Sequence, residues 1–564
     1  MKTQDYTNWT KEQLIEQLKS FEETKKYGLV WVNKKEDVKE KFKLYSPLLS
    51  LNPKKCFFEN DKSENNIFIE GDNLDSLSIL NYSHKGKIDV IYVDPPYNTG
   101  ATNWKYNNSY VDSEDPYRHS KWISFMYFRL HLARTLLSEE GIICITIDDY
   151  EFPRLFMVME EIFGSNNFLG NVIIRNNPGG RKSKRKVAAQ HEYAIFFSKN
   201  PQVSVAKIDI EIENKSHKYE KNDKGELIEW RNLRKEGSDS MAKPGSDRFY
   251  PIYFDSDTGE ISSSKILPIK ILPLDSKGDK RIWRRSKDDV DVLFKKNELK
   301  IKKTSYGNQV YFQFKGGLSG ETPKSLQLDN KFSASEYGTK ELDNILGERE
   351  SFNFPKSKHA VAQCIKIASS KKDAIILDFF AGSGTTGQAV LELNNEDGGN
   401  RKFILCTNNE NKIADEVCYP RISKIMGGYQ NKSGEFIKGL GGNLKYFNII
   451  NVLRGEKDSD KKILANNIND LICLKENTFN KFLVKPDFQI YKSIFLYVVI
   501  IHDILSINEV KKELGKFDLP IKIYVFSLGD DDLEDEFLDI KNIVKIDIFP
   551  NPLFKTYKRI IEKL

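Results

Sequence analysis

Short apolar runs alternate with segments of helical hydrophobic spacing over much of this chain. The runs have the composition of buried strands, and the segments repeat apolar residues every three or four positions, as helices packed on one face do. In the first part of the chain, strand and helix alternate over residues 67–70, 74–80, 88–93, 121–138, 142–147 and 151–163. Such alternation predicts an α/β fold with a parallel sheet.

The β–α pattern stops near residue 200 and resumes near residue 351. Between these points, short alternating runs and turn signals predict an inserted β-rich domain. The sequence therefore predicts one α/β sheet assembled from two separate halves of the chain, followed by a small C-terminal domain. The predicted N-terminal segment 1–66 is helical and contains an amphipathic helix at 10–23. The two halves of the sheet are 67–199 and 351–442, the insert between them is 200–350, and the C-terminal domain is 443–564.

Composition favours a cytoplasmic protein of several domains, given a length of 564 residues. Lys and Arg number 87 against 81 Asp and Glu, a formal net charge of +6. A general polyanion binder would carry more, so any nucleic-acid surface has to be local. No apolar stretch approaches a membrane span, and no export leader is recognisable before Trp9. The six cysteines lack C-x-x-C spacing, which predicts reduced thiols and neither disulfides nor a metal site.

One predicted strand ends in the tetrapeptide Asp94-Pro95-Pro96-Tyr97. Reactive groups usually lie at such strand ends in open parallel sheets. An exocyclic amine attacks an electrophilic methyl group once acceptors hold its two protons, and a carboxylate plus a carbonyl beside the proline pair can be those acceptors. Tyr97 offers a flat face for a base, worth about 1–3 kcal/mol of stacking. For the tetrapeptide alone, a Pro-Pro turn with a surface tyrosine is the alternative.

A second strand end carries a glycine loop, Asp378-Phe379-Phe380-Ala381-Gly382-Ser383-Gly384-Thr385-Thr386-Gly387. Its glycines match the G-x-G-x-x-G of dinucleotide sites. Asp378 stands where a pyrophosphate would approach and so favours a ligand with an ammonium group, while Glu410 after the next strand can accept both ribose hydroxyls. Gln388 and Ala389 replace the Lys and Ser/Thr that a phosphate-binding P-loop needs. This combination favours S-adenosylmethionine as the cofactor.

A basic segment, residues 175–186, holds six cations and two glycines. A charge run is usually a solvated loop, but its closeness in the chain to the acidic strand ends makes phosphate contact the rival interpretation. The segment has no aromatic residue, which suits gripping of the DNA backbone better than reading of bases. The predicted DNA contacts are Arg181, Lys182 and Lys184.

The order of these motifs resembles the amino-methyltransferases of DNA in their permuted β arrangement, where the catalytic motif precedes a target-recognition insert and the cofactor loop. Four further segments extend the similarity, over residues 25–445, to the modification subunits of type III restriction–modification systems. They are Gly71-Asp72-Asn73, Ile147-Asp148-Asp149, His191-Glu192-Tyr193 and Thr407-Asn408-Asn409-Glu410. The resemblance implies a permuted Rossmann-like, S-adenosylmethionine-dependent methyltransferase sheet with a catalytic half at 67–199 and a cofactor-binding half at 351–442.

The resemblance also implies roles for single residues. Asp94, Pro95, Pro96 and Tyr97 would hold an adenine flipped out of the duplex. The expected cofactor-binding residues are Asp72, Asp378, Phe380, Ala381, Gly382, Ser383, Gly384, Thr385 and Glu410. In this set Asp72 would meet the adenine amine of the cofactor and Glu410 its ribose, while Lys356 would lie near the methionine end. No metal is expected, because the sulfonium is its own leaving group.

The expected function is methyl transfer from S-adenosylmethionine to adenine N6 in a short DNA sequence, as the modification subunit of a type III system. Cytosine N4 is the alternative target, and a solitary methyltransferase the alternative setting; Asp at the first catalytic position favours adenine. A nicotinamide-dependent oxidoreductase would leave the Pro-Pro-Tyr motif without a role, and a DNA-binding specificity subunit would not need both motifs. The expected partners are double-stranded DNA, a second copy of the chain and a helicase–nuclease subunit.

Overall fold

The computed structural model describes most of the chain and divides it into two compact units. The described residues are 10–11, 42, 44–60, 65–98, 117–180, 187–208, 219–221, 227–305, 307–314, 321–347, 352, 354–453, 467–527, 533, 535–549 and 551–563. The larger unit comprises residues 1–206 and 324–564, and the smaller unit comprises residues 207–323. Nearly all of the predicted helix at 10–23 lies outside the described residues, as do Arg181, Lys182 and Lys184.

The first half of the larger unit alternates strands and helices, as its hydrophobic pattern predicts. Its described strands are β1 Tyr45–Leu51, β2 Asn65–Glu70, β3 Ile88–Val93, β4 Leu137–Ile147, β5 Phe168–Ile174 and β6 Glu192–Ser198. Its described α-helices are α1 Asn73–Ser83, α2 Arg118–Leu136 and α3 Phe152–Phe163. Helix α1 begins where the Asp72 side chain accepts hydrogen bonds from the backbone N–H groups of Leu74 and Asp75, a regular N-cap.

The smaller unit is rich in short strands, as predicted for the insert, with narrower limits than 200–350. Its elements are β7 Tyr219–Lys221, β8 Leu227–Asn232, β9 Ile252–Phe254, β10 Ile261–Ser262, β11 Ile269–Ile271, α4 Lys287–Lys295, β12 Leu299–Thr304 and β13 Gly307–Phe314. They form one sheet in the order β12-β13-β8-β7 and another in the order β10-β9-β11. Trp283, Ile252 and Val310 lie in a core of its own.

The second half of the larger unit returns to the α/β pattern and continues into the C-terminal region. Its elements are β14 Leu326–Gln327, α5 Lys340–Leu346, α6 Lys358–Ala368, β15 Ile375–Asp378, α7 Thr385–Asp397, β16 Lys402–Thr407, α8 Tyr419–Gly427, β17 Gly428–Gln430, β18 Phe436–Lys438 and β19 Asn443–Leu453. The C-terminal elements are α9 Asn469–Glu476, β20 Asn480–Val484, β21 Phe488–Lys492, β22 Tyr497–Ile501, α10 Ile507–Leu514, β23 Ile521–Phe526, β24 Ile543–Phe549 and α11 Asn551–Lys563. No helix within the described ranges combines the length and hydrophobicity needed to cross a membrane.

A ten-stranded sheet joins both halves of the larger unit in the order β1-β19-β2-β16-β15-β3-β4-β6-β5-β14. The six strands from β19 to β4 in this order run parallel to one another. Strand β15 lies next to β3, with Ile376 opposite Val90 and Leu377 opposite Ile91. All four side chains are fully buried, as expected for parallel strands covered on both faces. The catalytic and cofactor motifs, far apart in the chain, therefore follow neighbouring strands.

Two of the predicted divisions differ from the structure. Segment 1–66 was expected to be helical, but β1 is an edge strand of the central sheet, where Pro47 is tolerated because an edge position needs fewer ladder hydrogen bonds. Strand β19 was expected to begin the C-terminal domain, but it pairs with β2 in the central sheet. The remaining C-terminal strands form a separate five-stranded sheet, although the Tyr557 hydroxyl of α11 donates to the Pro47 carbonyl of β1. Local periodicity does not encode such long-range pairing.

Candidate active site

Four neighbouring parallel strands bring acidic residues to one edge of the central sheet. Asp72 follows β2, Glu410 follows β16, Asp378 ends β15 and Asp94 follows β3. The carboxyl ends of parallel strands meet at one edge of a sheet, the usual place for a ligand in an open α/β fold. The structure thus gathers the residues that the sequence identified in separate motifs.

Asp94 is a partly exposed carboxylate of this edge, with 27% of its side-chain surface accessible. The hydroxyl of Thr146 on β4 donates to Asp94 Oδ1 over 2.8 Å. The Lys356 Nζ atom lies 3.2 Å from the same oxygen. A group that enters from outside can therefore meet a carboxylate whose position is held from two sides.

The two prolines after Asp94 supply carbonyl oxygens and no N–H groups. The Pro96 carbonyl accepts a hydrogen bond from Trp122 Nε1 on α2 at 2.7 Å. Among the described residues no donor bonds to the Pro95 carbonyl, which makes it the better candidate for the second acceptor of an amine. Trp122 had no signal in the sequence beyond its place on a predicted helix.

A buried cluster of polar side chains surrounds the base of this motif. Lys356, just before α6, donates from Nζ to Glu192 Oε2 at 2.5 Å and to the Tyr97 hydroxyl. The Tyr97 hydroxyl in turn donates to Glu192 Oε2 at 3.2 Å, and Asn176 Nδ2 donates to the same oxygen at 2.7 Å. The family resemblance had placed Lys356 near the methionine end of the cofactor; in the structure its ammonium lies between Asp94, Tyr97 and Glu192.

The charges of this cluster shift one another's protonation. Burial raises the pKa of Asp94, and the nearby ammonium of Lys356 opposes that rise while Glu192 adds to it. Burial by itself would lower the pKa of Lys356, but the two carboxylates outweigh it and raise the pKa. Burial and the same carboxylates raise the pKa of Tyr97 well above its usual value, so its hydroxyl stays protonated. One cation shared by two carboxylates leaves excess negative charge, which suits the capture of N–H groups.

The glycine loop after β15 has a backbone that only glycine adopts easily. Gly382 and Gly384 have φ values of 52° and 80°, in the left-handed region. The Gly384 N–H donates to the Ala381 carbonyl at 2.7 Å, and Gly384 is the N-cap of α7. A Cβ atom on Gly384 would lie 3.1 Å from Cys418 Sγ. The loop therefore combines a tight turn with a helix N-terminus.

Asp378 holds this loop together. It is 2% exposed, its Oδ1 accepts from the Phe380 N–H at 2.9 Å, and its Oδ2 accepts from the Thr386 hydroxyl. Burial raises the pKa of Asp378 to about 7. The sequence predicted that this carboxylate faces an ammonium group of the ligand; instead both of its oxygens bind the loop, because the Phe380 amide is free to fold back onto it.

Arg421 of α8 supports the loop from behind and was missed by the sequence. Its side chain is fully buried, and its guanidinium donates to the Thr385 hydroxyl at 2.8 Å and to the Ser383 hydroxyl at 3.1 Å. It also donates to Gln388 Oε1 at 2.8 Å. Burial lowers the pKa of Arg421 to about 10, so the group stays charged at neutral pH. No local motif surrounds Arg421 in the sequence.

Asp72 and Glu410 remain accessible at the same edge and suit the polar parts of a nucleoside. Asp72 uses Oδ1 to cap α1, yet its side chain is 46% exposed. Glu410 is partly exposed where the chain leaves β16. The ring of Phe125 lies 5.8 Å from that of Phe380, and the Arg129 guanidinium lies 3.6 Å above Phe125. Accessible carboxylates, aromatic rings and a glycine loop together fit a nucleoside with a positively charged side arm.

In the smaller unit, the aromatic–basic clusters of the sequence separate into packed and accessible groups. Trp283 is buried and donates from Nε1 to the Tyr250 carbonyl at 2.8 Å, and Arg281 pairs with Asp275 at 2.7 Å. By contrast, cross-strand pairing places a set of partly or fully exposed side chains on one face of the β12-β13-β8-β7 sheet. This Trp230 face consists of Trp230, Asn232, Lys300, Lys302, Gln309, Tyr311 and Gln313.

Comparison with known proteins yields a family and several relatives. A family model described as DNA methylase matches residues 88–416. The type II methyltransferase M.KpnI of Klebsiella pneumoniae is 35% identical over 362 residues, which cover 64% of this chain and 84% of that protein. The type III restriction-modification enzyme EcoPI Mod subunit of Escherichia phage P1 is 29% identical over 425 residues, 68% of this chain and 64% of that protein. The chain thus spans less than two thirds of this type III relative.

Among solved structures, the PvuII DNA methyltransferase (cytosine-N4-specific) matches 65% of this chain and 94% of its own, with 13% identity and a TM-score of 0.31.

Proposed function

The chain belongs to the N6/N4 DNA methylase family, and we propose that it transfers a methyl group from S-adenosylmethionine to adenine N6 in a short sequence of double-stranded DNA. One observation carries the proposal: the accessible carboxylate of Asp94 and the glycine loop follow directly paired parallel strands. A reacting amine and a methyl donor bound at these two places would meet at one sheet edge.

The catalytic residues act by holding protons. Asp94 and the Pro95 carbonyl accept the two N–H groups of the exocyclic amine, which leaves the nitrogen lone pair free to attack. The excess negative charge of the cluster strengthens this acceptance, because hydrogen bonds to a carboxylate are stronger than neutral ones. Most of the rate enhancement then comes from positioning the two reactants.

S-adenosylmethionine, when bound, would supply a methyl group bonded to a positively charged sulfur. On transfer of the methyl group the sulfur becomes a neutral thioether, which is a good leaving group without protonation. The residues proposed to hold it are Asp72, Phe380, Ala381, Gly382, Ser383, Gly384, Thr385 and Glu410. Asp378 and Arg421 act on the cofactor through the loop that they hold in shape.

Adenine is proposed over cytosine because an Asp, rather than the serine commoner in N4 enzymes of the family, stands at the first catalytic position. Expression in a host without DNA methylation, followed by mass spectrometry of the nucleosides, tests this choice. N6-methyladenine is the expected product, and its amount should fall strongly with Asp94→Ala. N4-methylcytosine would overturn the adenine assignment, and no methylated base would overturn the whole proposal.

We assign choice of the DNA sequence to residues 207–323. The Trp230 face carries amide, aromatic and lysine side chains, and Lys300 Nζ lies 4.0 Å above the Trp230 ring. Amide side chains can read base edges, and lysines neutralise phosphates. Exchange of this unit for that of a relative should redirect methylation to the relative's site. Retention of the original site would contradict the assignment.

Arg181, Lys182 and Lys184 precede the recognition unit in the chain, and we propose that they contact DNA phosphates. Neutralising all three should weaken binding to every DNA and reduce the salt dependence by up to about three phosphate contacts. A changed target sequence with an unchanged salt slope would contradict this role.

We further propose that the chain acts in the cytoplasm as the modification subunit of a restriction system, as the names of its type III relatives suggest. Sedimentation of the chain, alone and with the product of an adjacent helicase–nuclease gene, tests this partnership and a homodimer together. If the chain sediments as a monomer and does not bind that product, it acts as a solitary methyltransferase.

A further inference from the structure

We propose that Lys356 and Glu192 are positioning residues that act on the charge of Asp94 in opposite directions: Lys356 favours the ionised carboxylate, and Glu192 fixes the Lys356 ammonium but competes with Asp94 for it. This inference rests on the proposed function, since it assigns Asp94 the task of accepting an amine proton. It also gives Lys356 a place at the target amine, whereas the family resemblance assigned it to the cofactor.

Lys356 has two carboxylate partners and little exposure to solvent. Its Nζ lies 3.2 Å from Asp94 Oδ1 and 2.5 Å from Glu192 Oε2. The Lys356 side chain is 11% exposed and that of Glu192 is 1% exposed. In such surroundings water screens the ion pairs poorly, so each charge strongly affects its neighbours.

Glu192 is fixed more firmly than a surface carboxylate would be. Its Oε2 accepts hydrogen bonds from Lys356, the Tyr97 hydroxyl and Asn176. Three donors on one oxygen hold the Glu192 side chain in one place. Glu192 therefore keeps the Lys356 ammonium within reach of Asp94.

Asp94 needs this neighbour because its own burial favours the protonated form. A protonated carboxyl is a weaker acceptor than a carboxylate and would compete with the amine as a donor. The titratable and charged groups that face Asp94 are Lys356, Glu192, Tyr97, Tyr92 and Asp378. Lys356 is the only cation in this described set.

The test compares the pH profiles of single-turnover methylation for two variants with opposite expected shifts. Lys356→Met removes the cation, so the acidic limb of the profile should move to higher pH by about one to three units. Glu192→Gln removes the competing carboxylate and leaves Lys356 to Asp94 alone, so the acidic limb should move to lower pH. A purely structural role would lower the rate in both variants without opposite shifts.

Further variants separate charge from folding. Lys356→Arg keeps the cation and should stay near the parent profile. Lys366→Met, on the helix α6 that follows Lys356, removes a lysine whose side chain is 38% exposed and whose partner is Glu396, and it should leave the pH profile unchanged. If Lys356→Met does not fold because Glu192 loses its partner, the double variant K356M/E192Q removes both charges, and its acidic limb should lie between those of the two single variants.

The affinity for S-adenosylmethionine, measured by calorimetry at each pH, controls for effects on the cofactor. It should be unchanged in Lys356→Met, and a tenfold loss there would return Lys356 to the cofactor and overturn the inference. Equal shifts, or no shift, in the two charge variants would also overturn it. If the parent protein methylates neither adenine nor cytosine, the proposed function itself fails, so the two failures are distinguishable.

Discussion

Asp94 and Asp378 stand at the ends of two paired parallel strands, yet their carboxylates have different surroundings. Asp94 is partly exposed and lies beside the ammonium of Lys356. Asp378 is buried, and its two oxygens bind the Phe380 N–H and the Thr386 hydroxyl. One carboxylate is available to a ligand, and the other is used by the protein.

The residues that follow each aspartate explain the difference. After Asp94 come two prolines, which have no N–H to fold back onto the carboxylate. After Asp378 comes Phe379 and then Phe380, whose N–H does fold back and forms a tight local turn. Equal residues at equivalent strand ends therefore acquire a chemical role in one case and a supporting role in the other.

The largest effect is expected from removing the open carboxylate. Asp94→Ala should lower methyl transfer by about a thousandfold, because a preorganised acceptor of the target amine is lost. The affinity for S-adenosylmethionine should not change, since the glycine loop is untouched. Single-turnover assays and calorimetry on the folded variant measure the two effects. A parallel loss of cofactor affinity would remove the distinction between the two aspartates.

The buried carboxylate should instead reveal itself in the pH dependence of stability. The pKa of Asp378 in the folded protein, about 7, is above its ordinary value. The stability that depends on its proton is therefore fully present below the ordinary pKa and is lost as the pH rises through 7. Asp378→Asn stays neutral and should be more stable than the parent above pH 7, by up to about 4 kcal/mol.

Thermal unfolding at pH 5 and pH 8.5 measures this difference, with the cofactor absent. Asp378→Ala is the matched variant, because it loses the acceptor for the Phe380 N–H that Asn retains and should weaken cofactor binding more than Asn does. Equal loss of cofactor affinity in both would mean that Asp378 contacts the ligand directly, as the sequence alone suggested.

Two glycines at opposite ends of helix α7 allow a test of the glycine loop's role in cofactor binding. Gly384 precedes α7 and Gly398 follows it, and both have positive φ. An added Cβ would press on Cys418 at Gly384 but would meet nothing within 4 Å at Gly398. Gly384→Ala should therefore weaken cofactor binding roughly tenfold, about 1.4 kcal/mol. Gly398→Ala should cost only stability, and similar cofactor losses in both would contradict this.

The smallest effect concerns the proline carbonyls beside Asp94. Trp122→Phe removes the donor to the Pro96 carbonyl and should slow transfer several-fold, in keeping with the loss of about 1 kcal/mol for one hydrogen bond. Thr386→Val removes the corresponding donor to Asp378 and should act on cofactor affinity instead. The transfer rate and the cofactor affinity are measured for both variants. If both variants lost rate and affinity in the same proportion, the separate roles of the two hydrogen bonds would be refuted.

Prediction from the sequence succeeded where a feature depends on adjacent residues. The strand before Asp94, the glycine loop after β15 and the β-rich insert were all visible as local patterns. The limits of the insert and the place of β1 and β19 were not, because strand pairing depends on partners far away in the chain.

The sequence by itself determined which strand ends are candidates for catalysis and cofactor binding. Proline restricts and glycine frees the backbone at the position where each stands, so both leave a local signal. Only the tertiary structure decided which distant side chains meet them. Lys356 reaches both Asp94 and Glu192, and Arg421 reaches the glycine loop, through the order of strands and the packing of α6 and α8. Buried charges must find partners, and the packed fold determines which partners are within reach.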